Sequence, residues 1–168
     1  MGTKFSTRIW VSVVGIASIF LGSKGYADTV ISVADFGLKP DTRENAVAYV
    51  QKAIEACRGK EPVTLVFPEG RYDFWPQYAH EKNYYETNTY DVFPKRLAML
   101  FEGLHNITVD GNGSQFIMHD RIQPITVENC DGVTLKNFSI DWDIPLTAQA
   151  RVTKVGSDFF EIEINVLE

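Results

Sequence analysis

The chain has 168 residues, a formal net charge of -6 and a composition that is 45% hydrophobic and 12% aromatic, which indicates a globular protein rather than a disordered one. The acidic balance, without a basic patch to neutralise phosphates, argues against a nucleic-acid-binding protein. The two cysteines, Cys57 and Cys130, permit one disulfide bridge but do not require it. The three histidines are scattered, so no metal site is predicted.

The first 27 residues have the features of a secretory signal peptide. Lys4 and Arg8 form its positively charged N-terminal region, and Gly25-Tyr26-Ala27 has the small-x-small form of a cleavage site. The apolar stretch between them, residues 9–21, is shorter than the ~20 residues that a membrane span needs. We therefore expect an exported protein with no membrane attachment after cleavage.

The first part of the mature chain predicts a strand, a helix and a second strand. Residues 31–33 and 63–67 have strand patterns. Asp41 and Thr42 are candidates for the N-cap of a helix over about residues 43–57. Its apolar residues recur at helical spacing: Ala46, Val47, Val50, Ala53, Ile54 and Cys57.

Residues 72–96 lack a clear period and are predicted to form a long loop. The segment is rich in aromatic residues, which argues against disorder, and long loops in compact domains are usually functional. Tyr72, Phe74 and Trp75 are expected to pack against the N-terminal elements.

A short sequence pattern occurs twice, 26 residues apart, in the middle of the chain. Glu102 and Thr108 recur as Glu128 and Thr134, and the apolar positions around them match. A period of about 20–50 residues is typical of solenoids. Short strands separated by Gly/Asn/Asp turns favour β-solenoid coils over hairpins.

These elements together predict an all-β solenoid. Each coil would turn its apolar residues inward, and a terminal coil needs a cap, for which the helix at 43–57 is the candidate. We expect residues 28–147 to form the cap and first coils. Residues 148–168 predict a β-hairpin that begins an inserted or appended β element, and the chain is expected to be the N-terminal part of a longer protein.

The segments "VADFG", "AVAYVQKAIEAC" and "VTLVFPEGRYDF" resemble the cap and first coil of secreted right-handed parallel β-helix proteins that act on polysaccharides. The segments "RYDFWPQYAHEKNYYETNTYD" and "LHNITVDGNGSQFIMHDRIQPITVENCDGVTLKNFSIDWDIPLTAQ" narrow this resemblance. With the cap, they are similar to glycoside hydrolase family 110, the bacterial α-1,3-galactosidases. The similarity runs from about residue 30 to the end of the chain.

The resemblance implies a right-handed parallel β-helix with β-barrel insertions. It implies exo-acting hydrolysis of terminal α-1,3-linked galactose, as in blood-group-B-like glycans, with inversion and with no metal or organic cofactor. The catalytic aspartates of the family are expected in later coils, beyond residue 168. We therefore expect the chain alone to be inactive.

Asp141 and Asp143 alternate with the apolar residues of a strand, so both should leave its outer face. Three interpretations stay open for them. They could be a catalytic pair, although two acids on one strand flank a substrate poorly. They could bind sugar hydroxyls at the mouth of a site, or they could only form a solvated turn. Trp142, between them, is expected in the core.

The remaining candidate glycan-binding residues are Tyr84, Tyr85 and Arg121. An aromatic ring can stack on the apolar face of galactose, and the two tyrosines lie in the long loop. Arg121 could bind sugar or pair with Asp120, and a surface ion pair is the simpler interpretation.

Two other functions remain alternatives. A non-catalytic carbohydrate-binding β-solenoid would retain glycan without turnover. A polygalacturonase- or lyase-type β-helix enzyme is the other, but a lyase would need Ca²⁺ and basic residues for uronates. The acidic balance of the chain counts against the lyase.

Overall fold

The structure, a computed structural model, describes residues 29–83 and 94–165. The described part is mostly strand with one α-helix and one short 3-10 helix, which confirms the predicted all-β class. In chain order the elements are β1 (Thr29–Ser32), a 3-10 helix (Val33–Phe36), α1 (Val47–Cys57), β2 (Val63–Val66), β3 (Arg71–Phe74), β4 (His80–Lys82), β5 (Lys95–Glu102), β6 (Ile107–Met118), β7 (Gln123–Glu128), β8 (Thr134–Trp142), β9 (Gln149–Val155) and β10 (Phe160–Asn165).

The largest sheet is parallel and is organised around β6. Strand β2 pairs with the first half of β6 and β3 with its second half, while β1 extends the sheet beyond β2. On its other side β6 pairs with β8 along nearly its whole length. Four rows of parallel strand therefore lie side by side in the order β1, β2 with β3, β6 and β8, with β8 at one edge.

A second sheet contains β4, β5 and β7. Strands β5 and β7 are parallel, and β4 pairs with β5 in the antiparallel direction. The predicted loop over residues 72–96 is only partly a loop: it contains most of β3, all of β4 and the start of β5, and β4 forms because its backbone pairs with the edge of β5. Strands β9 and β10 form a separate antiparallel hairpin, at the position where the sequence predicts one.

The parallel pairs place residues 26 positions apart side by side. Met99 pairs with Ile125 and Glu102 with Glu128 in one sheet. Thr108 pairs with Thr134 in the other. An irregularity after Asp110 shifts the register so that Ser114 meets Phe138. Gly111 lies at this shift, where a Cβ atom would be 2.5 Å from the Phe138 Cβ atom.

The inward side chains of the sheets and one face of α1 form a single hydrophobic core. Phe116 on β6 is at the centre of its aromatic part, with ring centroids 4.8 Å from Phe67 and 4.8 Å from Phe138. Tyr72 and Phe74 of β3 also lie in this core, as predicted. Helix α1 packs against β1, β2 and β5.

Helix α1 starts later than predicted, at Val47 rather than near residue 43, and the predicted N-cap is wrong. Asp41 adopts a left-handed conformation, and its carboxylate accepts a hydrogen bond from the Arg71 backbone. Asn45 instead accepts a bond from the Val47 N–H with its side-chain oxygen. Asp41 thus anchors β3 and does not cap the helix.

Both cysteines are free thiols, Cys57 buried on α1 and Cys130 half-buried in the turn before β8. Burial raises the pKa of the Cys57 thiol to about 11. Among the described residues, no helix is long and apolar enough to cross a membrane.

Candidate functional site

The structure separates the residues that the sequence singles out. Asp141 lies near the end of β8 and Asp143 directly after it, whereas Arg121 is exposed in the turn between β6 and β7. No ion pair joins Arg121 to Asp120 in this described turn. Tyr84 and Tyr85 lie outside the described residues. Of the candidate residues that the structure describes, Asp143 is the one that joins a larger group of polar side chains.

The group forms because three strands end at the same edge of the large sheet. The inward residues Phe74, Met118 and Trp142 stack across β3, β6 and β8. One position later, the backbone ladder continues: His119 N–H donates to the Phe74 carbonyl at 2.9 Å, and Asp143 N–H donates to the Met118 carbonyl at 3.0 Å. Because side chains alternate along strands, the residues after this inward row lie on the outer face.

The outer face there carries a charged cluster, defined as Arg71, Asp73, Trp75, His119 and Asp143. Arg71 and Asp73 alternate with the core residues of β3, so both reach the outer face. Trp75 follows β3, and its ring stacks on the His119 ring with centroids 3.9 Å apart and planes 5° from parallel.

Asp73 is the buried centre of the charged cluster, with a fully inaccessible side chain. Its Oδ1 accepts hydrogen bonds from Arg71 Nη2 at 2.6 Å and from His119 Nε2 at 2.8 Å, and its Oδ2 accepts from Arg71 Nε at 3.0 Å. Burial by itself would raise the pKa of Asp73, but the hydrogen bonds from Arg71 and His119 outweigh it and lower the pKa. The carboxylate is therefore held in its charged form.

Asp143 is the exposed end of the same cluster, with 41% of its side chain accessible. Its Oδ1 accepts from Arg71 Nη2 at 3.2 Å, and its Oδ2 lies 3.7 Å from His119 Nδ1. Arg71 and His119 therefore each lie between a buried carboxylate and an exposed one. The bonds to Asp73, followed by those to Asp143, raise the pKa of Arg71, so its guanidinium stays charged.

Asn45, two residues before α1, fixes the backbone segment that follows β3 and carries Trp75 of the charged cluster. Its side-chain oxygen accepts from the Trp75 backbone N–H at 3.3 Å, and its amide donates to the Gln77 carbonyl at 2.9 Å. The segment after β3 is thus fastened to the helix. This fixes the backbone of Trp75, whose ring supports His119.

Asp141 differs from Asp143 although the two are on the same face of β8. Its Oδ1 accepts a bond from the Trp142 backbone N–H at 2.8 Å, which is a local turn contact. Trp142 is half-buried against the core, as expected, and its indole N–H donates to the Asp120 carbonyl. Among the described residues, no cationic side chain pairs with Asp141 to orient it.

A second polar group lies on the other sheet. Lys82 Nζ is 2.8 Å from Glu102 Oε1 and 2.6 Å from Glu128 Oε2, and so bridges the two glutamates that pair across β5 and β7. These bonds raise the pKa of Lys82, and the bond from Lys82 lowers the pKa of Glu102. A surface pocket of about 390 Å³ adjoins them, lined by Lys82, Asn83, Thr126, Val127 and Glu128.

The charged cluster can present a fixed, negatively charged hydrogen-bond acceptor at the surface. A carboxylate has about four lone-pair sites. The neighbours of Asp143 use part of that capacity, so the rest can accept hydrogen bonds from a ligand. In the part of the chain that the structure describes, no three His, Cys, Asp or Glu side chains are grouped so that they could hold a metal ion.

Sequence reasoning missed Arg71, Asp73, Trp75 and His119 as members of a site. One signal for Trp75 was available: if Tyr72 and Phe74 point inward, alternation places residue 75 outward. His119 and Asp73 are 46 positions apart, across the long segment whose path the sequence does not indicate. The 26-residue repeat gives no information about that pairing.

No protein-family model matches the chain. Among curated relatives, the chain is 63% identical over 139 residues to alpha-1,3-galactosidase B of Bacteroides thetaiotaomicron. The aligned region covers 83% of this chain and 23% of that protein. It is 36% identical over 136 residues to alpha-1,3-galactosidase A of Shewanella woodyi, with 81% of this chain and 22% of that protein covered. It is 36% identical over 159 residues to alpha-1,3-galactosidase B of Phocaeicola vulgatus, with 92% of this chain and 25% of that protein covered.

The chain spans about a quarter of the length of these curated relatives. Homology to proteins named alpha-1,3-galactosidase confirms the resemblance predicted from the sequence.

Proposed function

Because the chain is homologous over most of its length to alpha-1,3-galactosidases, which are glycoside hydrolases, we propose that it is the N-terminal part of an enzyme of this kind. The proposed enzyme is exo-acting and removes terminal α-1,3-linked galactose from blood-group-B-like glycans with inversion. The 63% identity over 139 residues carries this proposal. The activity belongs to a protein of the relatives' length, and the 168-residue chain alone is expected to be inactive.

We propose a right-handed parallel β-helix as the architecture of that enzyme. The proposal is supported by in-register parallel pairing of residues 26 apart in two sheets. Parallel crossover connections are right-handed in nearly all proteins. Helix α1 would be the cap of residues 28–147, because it covers the core on the β1, β2 and β5 side.

The hairpin of β9 and β10 fits the start of an inserted β element over residues 148–168. Its large apolar side chains are exposed, as expected of a surface that further chain would cover: Val152, Val155, Phe160, Ile162 and Ile164. Residues 1–27 would direct export to the periplasm or the cell exterior before their removal.

Inverting hydrolysis needs two carboxyl groups about 6.5–9.5 Å apart on opposite sides of the scissile bond. Asp141, near the end of β8, and Asp143, one position past it, lie on the same side of the sheet, so they do not flank a substrate in this way. We propose that the catalytic acids lie beyond residue 168 and that the reaction uses no metal or organic cofactor. Tyr84, Tyr85 and Arg121 remain proposed glycan contacts.

The test compares this chain with a gene product of the relatives' length. Both are incubated with disaccharides that end in α-1,3-, α-1,4- or α-1,6-linked galactose, with and without EDTA, and free galactose is measured. The proposal expects release by the long form from the α-1,3 substrate only, unaffected by EDTA. Glycan binding without release would favour a non-catalytic binding solenoid, and release by the short chain would place catalytic acids within residues 28–168.

A further inference from the structure

We propose that Asp143 is a glycan-contacting carboxylate and that Arg71 and His119 are positioning residues that orient it. This inference rests on the proposed function and deepens it, since it assigns a ligand-binding role to one exposed side chain. The other members of the charged cluster form a buried support behind that side chain.

Asp143 lies beside Arg71 and His119, and its side chain is still accessible to solvent. Arg71 Nη2 contacts one carboxylate oxygen at 3.2 Å, and His119 Nδ1 faces the other at 3.7 Å. The hydrogen bond from Arg71 restrains the carboxylate at one oxygen, and the His119 ring beside the other oxygen limits rotation of the group by steric contact. With 41% of the side chain accessible, the remaining lone pairs of Asp143 face solvent.

The two positioning residues cannot easily move. Arg71 makes three short contacts to the buried Asp73 carboxylate. The His119 ring is held by Asp73 at its edge and by the Trp75 ring on its face. A binding group held by locked neighbours loses little conformational entropy when it binds a ligand.

The charges of the cluster indicate the class of ligand. Asp73 and Asp143 bring two negative charges and Arg71 brings one positive charge, so a sugar acid would meet a second carboxylate. A neutral sugar instead offers hydroxyl groups that donate to a carboxylate, and such charge-assisted bonds are stronger than neutral ones. The site therefore fits a neutral saccharide, in agreement with a galactoside.

The first experiment replaces Asp143 in the gene product of the relatives' length. Asp143→Asn keeps the shape of the side chain but removes its charge and one acceptor. We expect KM for Galα1-3Gal, and Kd measured by calorimetry, to rise by about tenfold, the loss typical of one charge-assisted hydrogen bond. The value of kcat should change less, because Asp143 is not a catalytic acid in this proposal.

The matched control is Asp131→Asn. Asp131 also pairs with a histidine, His105, at 2.9 Å, but both residues of this pair are exposed and lie in turns away from the charged cluster. It should change neither KM nor Kd by more than about twofold. Equal KM and Kd values for wild type and Asp143→Asn would overturn the inference, while continued galactose release would leave the proposed function in place.

A double-mutant cycle tests the positioning role separately. His119→Gln keeps a donor for Asp73 but removes the ring that faces Asp143. If His119 acts through Asp143, it should raise KM on its own and have little further effect in the Asp143→Asn background. Strictly additive effects on KM would overturn the positioning role, and a structural role alone would lower thermal stability without such coupling.

Calorimetry keeps the inference testable if no galactose is released. Wild-type binding of Galα1-3Gal that is lost in Asp143→Asn would then support the glycan contact even though the galactosidase proposal fails. Absence of both release and binding by the wild type would overturn both proposals.

Discussion

Replacing Asp73 by asparagine would remove the buried negative charge that holds the charged cluster together. The asparagine oxygen could still accept from Arg71 Nη2 and His119 Nε2, which both contact Oδ1 in the wild type. The amide nitrogen, in the place of Oδ2, would face the Arg71 Nε donor that now lies 3.0 Å away. Two hydrogen-bond donors, Arg71 Nε and the asparagine amide, would then face each other in a buried position with no acceptor between them.

The expected loss follows from those contacts. Removing one partner of a buried ion pair costs about 3–5 kcal/mol, the range expected for Asp73→Ala. Asparagine keeps part of the hydrogen bonding but loses a charged bond worth about 1.5–3 kcal/mol. We therefore expect Asp73→Asn to lower the free energy of unfolding by about 2–3 kcal/mol.

Urea unfolding followed by tryptophan fluorescence measures this loss, because Trp75 lies in the cluster itself. Asp131→Asn is the matched control, since the His105–Asp131 pair has a similar length but is 58% and 75% exposed. Its loss should stay below about 1 kcal/mol. Similar small losses for the two variants would refute the claim that the buried cluster stabilises the fold.

Three further predictions concern pH, thiol reactivity and close packing. Because the folded-state pKa of Asp73 is lowered, its stabilising contribution is fully present above the unfolded-state pKa of about 3.9 and is lost as pH falls from there through the lower folded-state pKa. Urea midpoints measured from about pH 5 down to about pH 2 should therefore fall more steeply in wild type than in Asp73→Asn. Burial and a pKa raised to about 11 should make Cys57 react with a thiol reagent at pH 8 much more slowly than Cys130, and mass spectrometry that finds Cys57 labelled first would contradict this. Gly111→Ala should cost about 1–3 kcal/mol in urea unfolding, because the new Cβ atom would meet Phe138 at 2.5 Å, whereas an unchanged midpoint would show that β8 can move away.

The sequence predicts the strand pairings best where like residues stack. Glu102 and Thr108 lie beside Glu128 and Thr134 because parallel in-register strands bring equivalent residues together. The pattern of inward and outward residues could therefore be obtained from the repeat alone. The start of α1 could not be obtained in this way. Aspartate is a residue type that favours the N-cap position, but the Asp41 carboxylate accepts a hydrogen bond from the Arg71 backbone at the start of β3.

The charged cluster was only partly predictable. Asp143 is a candidate because it continues the alternation of a predicted strand, whereas Asp73 falls in residues 72–96, which the sequence predicts to be a loop. Its burial depends on Arg71 and on His119, which the fold brings back after 46 residues. Trp75 was expected to pack against the cap, yet β3 ends at Phe74 and directs the next ring to the outer face, against His119.

The most direct test of the proposed activity is ¹H NMR of the first product formed from Galα1-3Gal by the gene product of the relatives' length. Our account predicts that β-galactose appears first and that the α-anomer follows only by mutarotation, as inverting hydrolysis of an α-linkage requires. If α-galactose appears first, the inverting mechanism is contradicted. If no galactose appears, the galactosidase function itself is contradicted.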